Sequence, residues 1–152
     1  METFFTDFLY RLVNWLYCTD LDDYLSGFDP ADSSYYNFHD VGYPMLGWIP
    51  IVVSVLFVII YYLVDKAGLN QVWHWLLWGM IGGLCSLCVS TYLCFEAVSS
   101  GDMLQYGLDV NFANCLMLGF GNLLLTFLFY FILSLIVNRF STNCRRTPFK
   151  LF

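Results

Sequence analysis

Three apolar runs without a single charge, each long enough to cross a bilayer, limit what this chain can fold into. The middle run, Val72 to Phe95 (VWHWLLWGMIGGLCSLCVSTYLCF), contains no Asp, Glu, Lys or Arg. At about 1.5 Å per residue, a helix of that length crosses the ~30 Å hydrocarbon layer of a membrane. The first run extends from about Leu46 to Val64 and the third from about Cys115 to Val137. The reading is an all-α membrane protein with three transmembrane helices, at 46–64, 72–95 and 115–137. An N-terminal amphipathic helix and a short acidic extramembrane cap complete it.

Composition agrees. The chain has 152 residues, of which 12% are charged and 59% hydrophobic, where a soluble domain carries roughly 25% charged residues. Once three spans are subtracted, little remains for a soluble domain of any size. The divisions expected are a cap at 1–45, a transmembrane domain at 46–137 and a basic tail at 138–152.

Charge placement gives the sidedness. Residues 1–45 hold Glu2, Asp7, Asp20, Asp22, Asp23, Asp29, Asp32 and Asp40 against Arg11, whereas the tail holds Arg139, Arg145, Arg146 and Lys150 and no acid. Bases gather on the cytoplasmic side. The tail and the Lys66 turn are therefore expected inside, and the N-terminus and the 96–114 loop outside; in a bacterium this means the inner membrane. So acidic a chain is a poor nucleic-acid binder. Nothing at the N-terminus resembles a cleavable signal peptide.

Residues 3–18 carry Asp7, Arg11 and Asn14 on one helical face, with Phe5, Phe8, Leu9, Leu12, Val13 and Leu16 opposite. Such a helix is too short to span, so it either packs on the bundle or lies in the membrane interface. Residues 19–45 are turn-rich and acidic, yet hold enough aromatics to pack as an ordered cap. One short helix is expected near Leu21–Ser26, capped by Thr19 or Asp20. Asp20, Asp22 and Asp23 lack the EF-hand spacing and read as a solvated acidic loop.

Inside the spans, small residues mark close helix contact. Gly79 and Gly83 stand four apart, as do Gly82, Ser86 and Ser90, and Gly119 and Gly121 mark a second place of close approach. Asn122 and Thr126 share a face, and an Asn at this depth hydrogen-bonds to a neighbouring helix for about 1 kcal/mol. Pro50 is expected in the first turn of its helix, where its missing N–H is harmless. Trp48, Trp73, Trp75 and Trp78 are expected as interface anchors. The run Phe127, Phe129, Tyr130 and Phe131 is expected to face lipid or a partner.

Reactive chemistry is sparse. Cys85-Ser-Leu-Cys88 has a CxxC spacing, but its place inside an apolar helix favours packing over metal or redox work. Cys94 and Cys115 sit at the outer ends of adjoining spans, where an oxidising exterior permits a disulfide. His74 between two tryptophans reads as structural. No catalytic motif is present, and no acid or base lies within a span, where coupled transporters and intramembrane enzymes normally carry them. The expectation is a protein without catalytic residues, metal or cofactor.

Its partners would be membrane lipid and either further copies or another membrane protein. The function expected is that of a non-enzymatic structural or interaction subunit, with defence or immunity as one setting. The alternative is a pore former. Three spans, an outside N-terminus and a basic inner tail resemble the topology of class I holins, although the long acidic N-terminus and the lack of a polar span face depart from it.

Overall fold

The computed structural model describes residues 8–29, 34–35, 42–64, 72–101, 108 and 110–140. The Lys66 turn and most of the basic tail lie outside them. Three long helices dominate: α2 (Tyr43–Val64), α3 (Val72–Ser99) and α4 (Phe112–Phe140). Each is long and apolar enough to cross a membrane, so the chain is an all-α integral membrane protein, as the apolar runs require. A short helix, α1 (Thr19–Ser26), and two 3-10 turns, Tyr10–Leu12 and Asn14–Leu16, pack where α2 and α4 begin. A two-residue antiparallel ladder pairs β1 (Phe28–Asp29) with β2 (Ser34–Tyr35).

The helices outrun the apolar runs that announced them. α2 begins three residues before Leu46, α3 continues four past Phe95, and α4 begins three before Cys115. The earlier start of α2 moves Pro50 out of the first turn and into the helix interior. Pro44 takes the first-turn place instead, where a proline N–H is not needed. α1 starts on Cys18, whose backbone is extended and whose side chain makes no capping bond. Thr19 is therefore already helical and caps nothing. Gly27 follows α1 directly and Gly101 stands two residues past α3, with φ of 78° and 82°, a left-handed conformation that only glycine adopts cheaply.

α3 and α4 run antiparallel along a continuous seam. A Cβ placed on Gly119 would overlap Thr91 Oγ1 and stand 3.0 Å from the Leu87 carbonyl oxygen. One on Gly83 would stand 3.1 Å from Leu123, and one on Gly79 3.0 Å from the Tyr130 ring. Gly82 turns the other way and receives Phe57 of α2, 3.1 Å from where its Cβ would be. The small residues thus serve helix contact within one chain.

The N-terminal segment lies deep against this bundle. Gly121 faces Val13 and Leu16. It stands nine residues into α4, roughly 13 Å below that helix's first residue. Leu9, Tyr10, Val13 and Tyr17 are buried, whereas Phe8, Leu12 and Trp15 are exposed, Trp15 by 74%. The packed face keeps Leu9, Val13 and Leu16 of the one the helical pattern marked but is rotated toward Tyr10 and Tyr17 and away from Phe8 and Leu12. A regular helix over 3–18 would bury Phe8 and Leu12; consecutive 3-10 turns rotate Tyr10 and Tyr17 inward instead.

Substituting Gly119 by Ala forces α3 and α4 apart at their closest point, against a backbone oxygen that cannot move aside. Overpacking of this kind costs about 1–3 kcal/mol. The expected outcome is a lower thermal midpoint in detergent for Gly119→Ala and an unchanged one for Phe120→Ala, whose side chain is exposed.

Candidate functional site: a buried polar seam

The spans hold few polar side chains, and the fold gathers them. At the end where α2 and α4 begin, the Tyr10 hydroxyl donates to Asn122 Oδ1 at 2.9 Å, and Asn122 Nδ2 donates to Ser90 Oγ at 2.6 Å. One asparagine thereby ties the N-terminal segment, α4 and α3 together. Thr126 Oγ1 donates to the Asn122 carbonyl oxygen at 2.7 Å. The Tyr10 ring stacks on Tyr43 with centroids 4.4 Å apart. Tyr43 in turn donates its hydroxyl proton to Asp22. A phenol has one proton, so the 2.7 Å contact between Tyr17 and Tyr43 is a bond in which Tyr17 donates. Burial pushes the Tyr17 phenol well above its ordinary range, which keeps it a donor at every physiological pH.

A second cluster closes the opposite end. Trp75 Nε1 donates to Ser134 Oγ at 2.7 Å, and the Tyr62 hydroxyl donates to the Ser134 carbonyl oxygen at 3.0 Å. The Tyr130 hydroxyl donates to the Trp75 carbonyl oxygen at 3.2 Å. The Trp75 ring meets Tyr130 and Phe131 with centroids 5.4 and 5.9 Å apart. All three spans contribute, so each end of the bundle is held by an indole or phenol bonded across helices. Such bonds matter because an unpaired polar group in a low-dielectric interior is costly.

Between the clusters lie Ser54 and Ser86, both fully buried. Ser54 Oγ donates to the Ile51 carbonyl oxygen at 2.8 Å. Ser86 Oγ and His74 Nδ1 are buried without a hydrogen-bond partner among the described residues. No group of three or more His, Cys, Asp or Glu suited to a metal ion occurs among the described residues.

Cys94 and Cys115 are brought together: their sulfurs lie 2.9 Å apart, both wholly buried, as free thiols. Cys85 and Cys88 are exposed on the apolar outside of α3, so the CxxC spacing assembles nothing. Of the four expected anchors, Trp48 and Trp73 are exposed and Trp78 is half-buried against Phe57. Trp75, at 5% exposure, belongs to the core. Tyr130 is likewise buried rather than turned to lipid or a partner. Asn122 pairs across helices, as its type and depth predict.

Sequence reasoning missed Tyr10, Tyr17 and Tyr43 as members of this cluster. Tyr10 and Tyr17 stand three and four residues from Val13, a spacing that marks one helical face, but the apolar face was drawn through Phe8 and Leu12 instead. Comparison with family models, curated proteins and solved structures returns no match for this chain.

Tyr10→Phe leaves Asn122 Oδ1 buried and without its donor, a loss of about 1–2 kcal/mol. The expected result is a lower unfolding midpoint in detergent. A double-mutant cycle of Tyr10→Phe with Asn122→Leu should return a coupling energy of similar size. On the cap, burial and the neighbouring carboxylates of Asp22 and Asp20 raise the Asp23 pKa. A carboxyl whose pKa rises on folding opposes folding while ionised, and this opposition fades as pH falls through the folded value. Asp23→Asn is therefore expected to raise the midpoint at neutral pH and to lose that advantage in acid, where wild type is itself protonated.

Proposed function

We propose that this chain is a non-enzymatic structural or interaction subunit of a membrane complex, with the acidic cap outside the membrane and the basic tail in the cytoplasm. One observation carries the reading. The polar side chains that the spans bring into the membrane mostly bond inside the bundle, to one another or to backbone carbonyl oxygens, while the outward faces are apolar. Met45, Val52, Leu56 and Ile59 line one such face of α2, and Phe120, Leu124, Leu128 and Ile132 one of α4. A protein built this way offers its surroundings shape and apolar area rather than reactive groups. The same inward placement of Ser90, Asn122 and Thr126 speaks for a subunit over a pore, whose water-filled path needs polar groups on an open face.

The glycines are engaged within the chain. Assembly with another copy or another membrane protein therefore uses the apolar helix faces or the acidic cap. Sidedness rests on the four tail bases and on the cap standing where α2 and α4 begin.

Two measurements test this. Extracted in mild detergent, the protein should run as a particle larger than one chain with a fixed composition, and its overexpression should leave the membrane potential intact. A lone chain, or a collapsed potential, would contradict the reading. A membrane-impermeant maleimide applied to intact cells should leave Cys144 of the basic tail unlabelled; labelling would reverse the sidedness.

A further inference from the structure

We propose that Cys94 and Cys115 are a disulfide-forming pair that staples the outer ends of α3 and α4. The seam itself brings the two thiols together. Gly119 lets α4 approach α3 until its backbone lies against Leu87 and Thr91. One turn further toward the outer end, three residues on from Thr91 and four back from Gly119, the facing positions are Cys94 and Cys115. Thr91 Oγ1 stands 3.5 Å from the Cys115 carbonyl oxygen, and the two sulfurs are 2.9 Å apart. Two helices in antiparallel register thus present two thiols to each other.

Position along the helices sets the chemistry. Cys94 lies five residues before the end of α3 and Cys115 three after the start of α4. Both stand within about 8 Å of the helix ends. On the sidedness proposed above, that level borders the non-cytoplasmic compartment, where disulfides form and persist; the inference rests on that reading.

The reaction is thiol–disulfide exchange with a protein or small-molecule disulfide of that compartment. A thiolate of the pair attacks one sulfur of the oxidant and displaces its other sulfur as a thiolate. The second cysteine then attacks the first, forming the Cys94–Cys115 bond and releasing the remaining oxidant thiol. Two cysteine thiols are oxidised and one disulfide is reduced to two thiols. The bond closes the 95–114 connection into a ring and so restrains the unfolded chain. Exchange must precede full packing of the pair, because both sulfurs are wholly buried in the folded bundle.

The arrangement of basic residues makes the test direct. Cleavage at Arg11, Lys66 and Arg139 leaves Cys85, Cys88, Cys94 and Cys115 on one peptide, 67–139, and Cys18 on another. Full-length protein is taken from membranes, denatured with an alkylating agent and no reductant, digested and weighed. The expected result is peptide 67–139 two hydrogens light, with two of its four cysteines alkylated. Reduction before alkylation should bring all four into reaction. Cys94→Ser and Cys115→Ser should each leave every remaining cysteine alkylated, and Cys85→Ser with Cys88→Ser should keep the deficit. Four alkylated cysteines in the unreduced sample, or a bond joining the peptides of Cys18 and Cys94, would overturn the proposal. Labelling of Cys144 from outside reports on sidedness alone, so the two failures are distinguishable.

Discussion

The approach of α3 and α4 at Gly119 is the contact on which the remaining structure rests. A side chain there would collide with Thr91 and crowd the Leu87 carbonyl oxygen. Its absence sets the spacing of two helices that then run in register for their whole shared length. Moving from Gly119 toward the start of α4, the same register places Cys94 beside Cys115. Moving inward, it places Gly83 against Leu123, Gly79 against Tyr130 and Trp75 against Ser134. In lipid, apolar surface gains nothing by leaving its solvent, so helix association depends on close packing and internal hydrogen bonds. This seam supplies both.

The N-terminal segment follows from the same physics. Gly121, two residues on from Gly119, leaves room for Val13, and Asn122 beside it offers Tyr10 an acceptor. The segment therefore descends along α4 with one side against the bundle. Its other side shows Phe8, Leu12 and Trp15, and the Trp15 indole N–H is satisfied locally by the Leu12 carbonyl oxygen at 2.9 Å. Compact 3-10 turns bond part of their own backbone, which suits chain lying at membrane depth beside a helix. The cap closes over this region through Asp22, Tyr17 and Tyr43, so the acidic, water-facing part of the chain and its apolar part share one hydrogen-bonded group.

How far the sequence could be read depended on what each signal averages over. Three spans were legible because length and freedom from charge are sums over twenty residues, and no single side chain can reverse them. The need of Asn122 for a partner was legible from its type and depth. The juxtaposition of Cys94 and Cys115 followed from two adjoining helices ending on the same side. The fate of the glycines was not legible, because spacing shows that a backbone is approached without showing what approaches it. Trp75 was assigned outward because tryptophans near span ends usually anchor in the interface, and Tyr130 because its run of aromatic neighbours reads as a face for lipid or a partner. A hydrogen bond across helices turned both inward: Trp75 to Ser134 Oγ, and Tyr130 to the Trp75 carbonyl oxygen. Phe8 and Leu12 were misplaced, and Tyr10 and Tyr17 overlooked, because a continuous helical period was assumed where the chain forms separate short turns.

The seam joins two helices of the same chain, with Gly119 at its closest point. Isotope-filtered nuclear Overhauser spectroscopy on a mixture of labelled and unlabelled protein in lipid nanodiscs can distinguish this from a contact between chains. Cross-peaks from Gly119 Hα to Leu87 and Thr91 should arise only within one molecule. Cross-peaks between differently labelled molecules, or none at Gly119, would contradict it.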